Sequence, residues 1–435
     1  MGCAKRGSAG LNTSSLCRSH AERQDVVFKR LTSKLPTSFH PWLAAGYAEL
    51  GGGTWNVLPD GTVAATPQLD EWPERVSMND VPLLSVCVPT YQHAALLRVM
   101  LQALLPQAAQ FGSQVEVCIA DNASTDATES VVAEAAAGHT ALRVSYVKRE
   151  QNVGPVRNYV YSATQQATGE YLWALGDDDL LLPGALRRVF EAIQNNRNLD
   201  FFYANFAAAN FQEHWPEAAV GGFGGVITRL ACPFLQNRHV RYWQELLDSS
   251  SSMGTQVYAH IVRRSVWTEF WHERDIAPDY RSVESTYPHT CMLIEKAWDK
   301  PAYYLGAPHL VQFDGRADWA DGNGTRIALV SLPRFISRLD DRGLGLHALI
   351  RTRGYLKQAA LDAFRNAIAG RSGSDAAEIM TQSLAMGDRY PEIVEALLLA
   401  IQETGGHVVP DVIDVVRDAL LRLQEQQSGG TAAAA

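Results

Sequence analysis

The sequence predicts an α/β protein, a mostly parallel sheet flanked by helices, followed by an α-helical C-terminal region. Three observations carry this expectation. Between Leu83 and Asn205, short apolar runs alternate with helical stretches of roughly 10–15 residues, the rhythm of parallel strands joined by right-handed crossovers. The apolar runs end in Pro, Asp, Asn or Gly, residues that turn a strand end into a loop. Beyond residue 326 the strands stop, and apolar positions such as Ile413, Val416, Leu420 and Leu421 recur at helical spacing.

Taken in order, residues 1–80 read as an irregular extension whose first 25 residues look disordered. Thr54–Leu58 and Thr62–Ala65 flank the turn Pro59-Asp-Gly61 and could pair as a hairpin. Leu84–Val88 is a buried strand ending in Pro89-Thr-Tyr91, and Ala94–Leu105 a helix with Leu97, Leu101, Leu104 and Leu105 on one face. Val115–Ala120 is the second strand, ending in Asp121-Asn-Ala-Ser-Thr-Asp126. Ser124 or Thr125 is placed to cap a helix over 126–137. Leu142–Val147 is the third strand, Asn152-Val-Gly-Pro155 opens a third helix, and Tyr171–Leu175 is the fourth strand. A helix over 183–195 and a strand over 199–203 follow, Pro183 costing nothing at a helix start. Further on, a helix over 235–247, a strand over 257–262, a helix from His289 to about Trp298 and short strands near Tyr303 and Leu310 are expected. Gly221-Gly-Phe-Gly-Gly225 neither follows a strand nor opens a helix, so it is no dinucleotide fingerprint. The resulting division is an extension over 1–80, an α/β domain over 81–325 (halves 83–205 and 206–325), helices over 326–425 and a low-complexity tail over 426–435 expected to be disordered.

Composition bounds the function. With 435 residues, 46% hydrophobic and 20% charged, the chain can bury a large core. A formal net charge of −9 argues against nucleic acid as a partner, because phosphate binding needs a basic surface. The six cysteines show no CxxC pair or zinc-like spacing, which fits a reducing compartment. No apolar run has the length of a membrane span and no signal-peptide core opens the chain, so a soluble cytoplasmic protein is expected. Arg6 stands where the myristoylation pattern wants Ser or Thr.

The densest chemistry lies in Gly176-Asp-Asp-Asp179, directly after a buried strand. Parallel strands put their carboxyl ends on one edge of the sheet, where open α/β sheets bind ligands. At a spacing of ~5 Å, each pair of carboxylates repels by roughly 3 kcal/mol at an effective dielectric near 20. A divalent cation removes that cost, and oxygen-only ligands suit Mg²⁺ or Mn²⁺. An isolated acidic turn would instead be a solvated helix cap. The hydroxyls and backbone after the first strand and the carboxylate after the second complete what a nucleoside diphosphate leaving group requires.

Leu84-Ser-Val-Cys-Val-Pro-Thr-Tyr91, Asp121-Asn-Ala-Ser-Thr-Asp126, Asn152-Val-Gly-Pro-Val-Arg-Asn158 and Gly169-Glu-Tyr-Leu-Trp-Ala-Leu-Gly-Asp-Asp-Asp179 together resemble the family-2 glycosyltransferases of GT-A (Rossmann-like) fold, over about residues 83–205. The Leu-Gly-Asp-Asp-Asp form with the later Tyr287-Pro-His289 is similar to the abequosyltransferase-type branch, which builds bacterial surface polysaccharides. The resemblance implies an inverting transfer from a nucleotide-diphosphate sugar to a hydroxyl of a carbohydrate or lipid-linked sugar, the latter allowing peripheral contact with the inner face of the plasma membrane. A basic face around 334–342 or 351–357 could supply that contact, the plainer reading being a solvated helix face.

Carried over, the resemblance implies that Pro89, Thr90 and Tyr91 line the base pocket and that Asp121 binds base or ribose. Asn152, Gly154 and Arg157 would sit beside sugar and phosphate, although Asn152 and Gly154 could equally be a plain helix cap. Two departures stand out. Relatives read Asp-x-Asp-Asp after the strand; here the first position is Gly176, leaving Asp178 and Asp179 for the metal and Asp177 beside the substrate. In the other register Asp177-x-Asp179 is itself a DxD, and both registers keep Asp179. Where relatives carry a Glu-Asp pair for the catalytic base, this chain has Tyr287-Pro-His289. His289 and Glu284 are the base candidates, with Asp279 a further carboxylate nearby. Two alternatives compete: a sugar nucleotidyltransferase, which would usually carry a Gly-rich basic loop after the first strand, and a non-catalytic sugar-nucleotide binding module.

Overall fold

The computed structural model describes residues 55–57, 63–65, 81–210, 229–249, 254–272, 274, 276, 280–314 and 323–432. The expected N-terminal disorder, the Gly221–Gly225 loop and Asp279 lie outside the described residues. Strands β1 (Trp55–Val57) and β2 (Val63–Ala65) pair antiparallel with Val57 opposite Val63, the hairpin expected around Pro59-Asp-Gly61.

The domain is built around β3 (Leu84–Thr90), α1 (Ala94–Ala108), β4 (Val115–Asp121), α2 (Thr128–Ala137), β5 (Arg143–Lys148), α3 (Pro155–Tyr161) and β6 (Tyr171–Ala174). These four strands lie in the order β5-β4-β3-β6, all parallel. Their sequences explain the layering. Every residue of β4 and nearly every residue of β3 is buried, as expected of Val-, Ile- and Leu-rich strands covered on both faces. The α1 residues Leu97, Met100, Leu101, Leu104 and Leu105 are buried at the predicted spacing. Strand β5, at the edge, is only partly buried.

The second half adds β7 (Leu180–Leu181), α4 (Ala185–Asn195), β8 (Phe201–Ala204), β9 (Ala207–Asn210), β10 (Arg229–Leu230), β11 (Arg238–Val240), β12 (His260–Arg263), α5 (Arg264–Trp271), α6 (Pro288–Lys296), β13 (Ala302–Leu305) and β14 (Leu310–Asp314). The main sheet becomes β11-β13-β8-β12-β6-β3-β4-β5, and β10-β9-β14-β7 form a smaller one. Strand β12 wedges antiparallel between β6 and β8. The crossover rule governs successive strands, and β12 reaches its slot by a long connection that the rule does not constrain. The helix expected over 235–247 is absent: Arg238–Val240 instead pairs with β13, Val240 facing Ala302, and only Glu245–Ser249 is helical. Sheet pairing overrides local spacing there.

Beyond residue 323 the chain is helical: α7 (Leu332–Asp341), α8 (Leu346–Ile368), α9 (Ala376–Leu384), α10 (Pro391–Glu403) and α11 (Pro410–Ala432). Helix α11 runs to Ala432, through Gly429 and Gly430 and into the stretch whose composition suggested disorder; the Leu, Arg and Gln residues before the glycines favour helix. The basic residues of α8 face acidic ones of α10: Arg353 meets Glu392 at 3.3 Å, Lys357 meets Glu395 at 2.7 Å and Arg365 meets Glu403 at 2.5 Å. Most of that basic face therefore holds two helices together.

Two glycines give opposite expectations. A Cβ at Gly306 would lie 2.3 Å from the Leu235 carbonyl carbon and 2.6 Å from the Gln236 nitrogen, backbone that cannot step aside. A Cβ at Gly354, inside α8, would meet nothing within 4 Å. Gly306→Ala should lower stability by about 1–3 kcal/mol, and Gly354→Ala should raise it by roughly 0.5–1 kcal/mol. Urea midpoints of the two variants against the parent check both signs.

Candidate active site

The parallel register places Thr90 at the end of β3 directly opposite Asp121 at the end of β4, with Cys87 opposite Ala174 of β6. The loops after these three strands therefore open on one edge. Thr90 Oγ1 donates to Asp177 Oδ2 at 2.6 Å, tying the end of β3 to the acidic turn after β6. His93 Nδ1 lies 3.1 and 3.0 Å from the two Asp177 oxygens. Asp177 is buried, and its carboxylate is thus engaged on the β3 side.

Asp178 and Asp179 turn toward Gly176. A Cβ there would fall 2.7 Å from Asp178 Oδ1 and 2.9 Å from Asp179 Oδ2, so a side chain at this position would push the two carboxylates aside. Asp179 is buried and accepts the Gly176 N–H at 2.8 Å. Burial, and then the neighbouring Asp178 charge, hold its carboxyl well above the usual carboxylate range. Asp178 is the partly exposed member of the three. Among the described residues no group of three or more His, Cys, Asp or Glu side chains is arranged to hold a metal ion.

Asp121 is fully buried; its Oδ1 accepts the Ser124 N–H at 2.8 Å and its Oδ2 the Tyr146 hydroxyl at 2.6 Å. Tyr91 is 41% exposed, while Pro89 is half-buried beside it. Asn152 Oδ1 accepts from Asn122 Nδ2 and from the Gly154 N–H, both at 2.8 Å. Gly154 has φ of 87°, a conformation that favours glycine, and delivers the chain into α3. Asn152 and Gly154 thus shape the helix entrance beside the site. Arg157 Nε donates to the Ile276 carbonyl at 3.0 Å, joining α3 to the second half.

The base candidates part company. Glu284 is half-buried; Arg338 of α7 donates to its Oε1 at 2.6 Å. Burial pushes the Glu284 carboxyl up, but the Arg338 pair together with hydrogen bonds from its own backbone and Ser282 leaves the pKa below the ordinary value. His289, on the first turn of α6, is buried against His260, ring centres 5.7 Å apart, in a cavity also lined by Cys87, Ala174 and Trp267. Burial lowers its pKa to about 4, partly offset by the Gly254 and Thr255 backbone.

Several residues at this edge escaped sequence reasoning. Gln92 has φ of 56°. Its N–H donates to Ser124 Oγ at 2.9 Å, and its side-chain oxygen accepts the Thr125 and Asp126 N–H groups at 3.1 Å each. Asp126 in turn accepts the Ala94 N–H at 2.9 Å, so the cap of α1 comes from the β4 loop. The expected Ser124 or Thr125 cap of α2 does not form; Asp126 Oδ1 accepts the Thr128 N–H at 3.1 Å instead. The shared polar loop Asp121–Asp126 was visible in sequence, but its partner across the edge was not.

The family model described as Glycosyl transferase family 2 matches residues 85–261, spanning the loops after β3, β4 and β6 but not the 276–289 segment. Residues 85–261 are a glycosyl transferase family 2 domain. The abequosyltransferase RfbV of Salmonella typhimurium is 36% identical over 104 residues, covering 24% of this chain and 30% of the relative. The GalNAc(5)-diNAcBac-PP-undecaprenol beta-1,3-glucosyltransferase of Campylobacter jejuni is 31% identical over 111 residues, covering 26% and 33%. The chain therefore spans about a third of the length of these relatives. Among solved structures, S. aureus TarS 1-349 aligns over 74% of this chain and 91% of its own, at 14% identity and a TM-score of 0.48. No helix among the described residues is long and apolar enough to cross a membrane.

The buried histidines make the fold acid-sensitive. Burial holds His260 at about 3 and His289 at about 4, against 6.5 in the unfolded chain. The unfolded chain then binds more protons below pH 6.5. The histidine contribution is complete above that pH and is lost as pH falls toward 4, roughly 2 kcal/mol per histidine by pH 5. Asp179, with a raised carboxyl pKa, acts in the opposite sense. His289→Gln should shrink the drop in urea midpoint between pH 7 and pH 5 by the share of one histidine.

Proposed function

We propose that this domain transfers a sugar, with inversion, from a nucleotide-diphosphate donor to an acceptor hydroxyl. The observation that carries the reading is the meeting of three parallel strand ends at one edge: Thr90 and Tyr91, the buried Asp121, and the acidic turn Asp177–Asp179. On this reading the exposed Tyr91 ring and Pro89 receive the base, with Asp121 and Tyr146 at the ribose. Arg157, at the mouth of α3, lies on the side of the sugar and phosphates.

Asp178 and Asp179 would hold Mg²⁺ or Mn²⁺. The fit rests on a buried carboxyl whose charge is opposed by its neighbour, and on two carboxylate oxygens facing one turn. Mg²⁺ sites commonly use one or two carboxylates and complete the shell with phosphate and water. When bound, the cation neutralises charge on the departing diphosphate. The chain's own residues orient the donor, and a base in the 280–289 segment accepts the acceptor proton as the new C–O bond forms and the bond to the diphosphate breaks. Glu284 is the better exposed candidate there, whereas His289 is neutral but enclosed.

We further place the acceptor among carbohydrates or lipid-linked sugars and the role in bacterial surface glycoconjugate synthesis, supported by the likeness to the Salmonella abequosyltransferase and the Campylobacter PP-undecaprenol glucosyltransferase. A lipid-linked acceptor would bring the chain to a membrane surface, where the exposed Leu346 and Ile350 at the start of α8 are available.

Calorimetry with UDP, GDP, CDP and dTDP, with and without Mn²⁺, tests the donor site. One nucleotide should bind with metal-enhanced affinity, and Asp178→Ala should remove at least tenfold of the enhancement. Binding indifferent to both metal and substitution overturns the reading. For the base, Glu284→Gln should lower kcat by roughly 10²–10⁴ with nucleotide affinity unchanged. A fall confined to His289→Gln would move the role to the histidine.

A further inference from the structure

Asp177 was expected beside the substrate or, in one register, as half of a metal-binding pair. Its contacts suggest a different duty. Both of its oxygens lie at 3.0–3.1 Å from His93 Nδ1, and one also accepts the Thr90 hydroxyl. A carboxylate facing Nδ1 fixes that nitrogen as the protonated one and sets the ring plane, which aims Nε2 along a defined direction. The loop bearing His93 is itself constrained. Gln92 holds a left-handed φ of 56°, sparsely populated by non-glycine residues, and is clamped there by Ser124, Thr125 and Asp126. Two residues after Tyr91 of the proposed base pocket and in contact with Asp177 of the acidic turn, His93 joins the two parts of the proposed donor site. The His93 side chain is 24% exposed, so it is not sealed inside the protein.

Resting on the donor site proposed above, we infer that His93, oriented by Asp177, hydrogen-bonds the diphosphate of the donor, with Asp177 a positioning residue and not a metal ligand. The imidazole Nε2 faces a phosphate oxygen and stabilises the leaving nucleoside diphosphate as the bond between the sugar carbon and the phosphate oxygen breaks. No proton needs to change hands with the sugar; the acceptor proton goes to the base in the 280–289 segment.

The test compares nucleoside diphosphate with the matching monophosphate, using whichever of UDP, GDP, CDP and dTDP binds the parent most tightly. Calorimetry is run in EDTA and again in Mn²⁺. His93→Ala should weaken diphosphate binding about tenfold in both media while leaving the monophosphate within twofold. Asp177→Asn should give a smaller loss of the same kind and keep the metal-dependent gain. His93→Gln, which can still donate one hydrogen bond, should recover part of the loss. Equal weakening of mono- and diphosphate would show a merely structural histidine, and unchanged diphosphate binding would show no contact; either overturns the inference. Loss of the Mn²⁺ gain in Asp177→Asn would make Asp177 a metal ligand and also overturn it. If the parent binds none of the four diphosphates, it is the donor-site reading itself that fails.

Discussion

The parallel register of β3, β4 and β6 is the constraint on which the site depends. It brings Thr90, Asp121 and the 176–179 turn to one edge, and with them a concentration of carboxylates that would repel one another. The structure relieves this by giving each acid a separate partner. Asp121 takes a backbone N–H and a tyrosine hydroxyl, Asp177 takes Thr90 and His93, and Asp126 caps α1. Asp179 keeps one backbone N–H and the full cost of burial beside Asp178. The cost of burying a carboxyl is thereby concentrated at Asp179.

Backbone shape enforces the same arrangement. Gly176 leaves room for the Asp178 and Asp179 carboxylates, and Gly169, at the other end of β6, lets the chain pass Ser85, whose Oγ a Cβ would approach to 2.6 Å. Ser85 and the Thr168 and Gly169 N–H groups converge on buried Glu116 of β4. Strands β3, β4 and β6 are thus pinned by polar contacts at both ends, and slippage of one would unmake the other. That coupling keeps a polar site in fixed geometry on a sheet otherwise held by non-directional apolar packing.

Much of this was legible in sequence because it is local. The apolar runs ending in Pro89, Asp121 and Gly176 identify the strands and their loops, and parallel topology alone brings the ends together. The reading failed where pairing is non-local. The strand expected over 257–262 forms as β12, but its antiparallel slot between β6 and β8 was not legible, and Arg238–Val240 becomes an edge strand where helix spacing had suggested otherwise. His93 was invisible for the same reason: nothing in its own neighbourhood marks it, and its meaning comes from Asp177, far along the chain. The alternation of basic residues on α8 suggested a surface for other molecules, but α10 supplies matching acids from within the chain.

The helices beyond residue 323 bear on the site more directly than an appendage would. Arg338 of α7 pairs with Glu284, and Ser331 Oγ both accepts from Thr286 Oγ1 and donates to the Tyr280 carbonyl, each at 3.1 Å. The Tyr287 and Phe335 rings pack with centres 5.0 Å apart. The segment carrying both base candidates is therefore held from outside the sheet, while the donor edge is held from within it. On the proposed reading, a base segment whose charge and position are set by a separate helical layer can change with that layer and leave the edge built by sheet register intact.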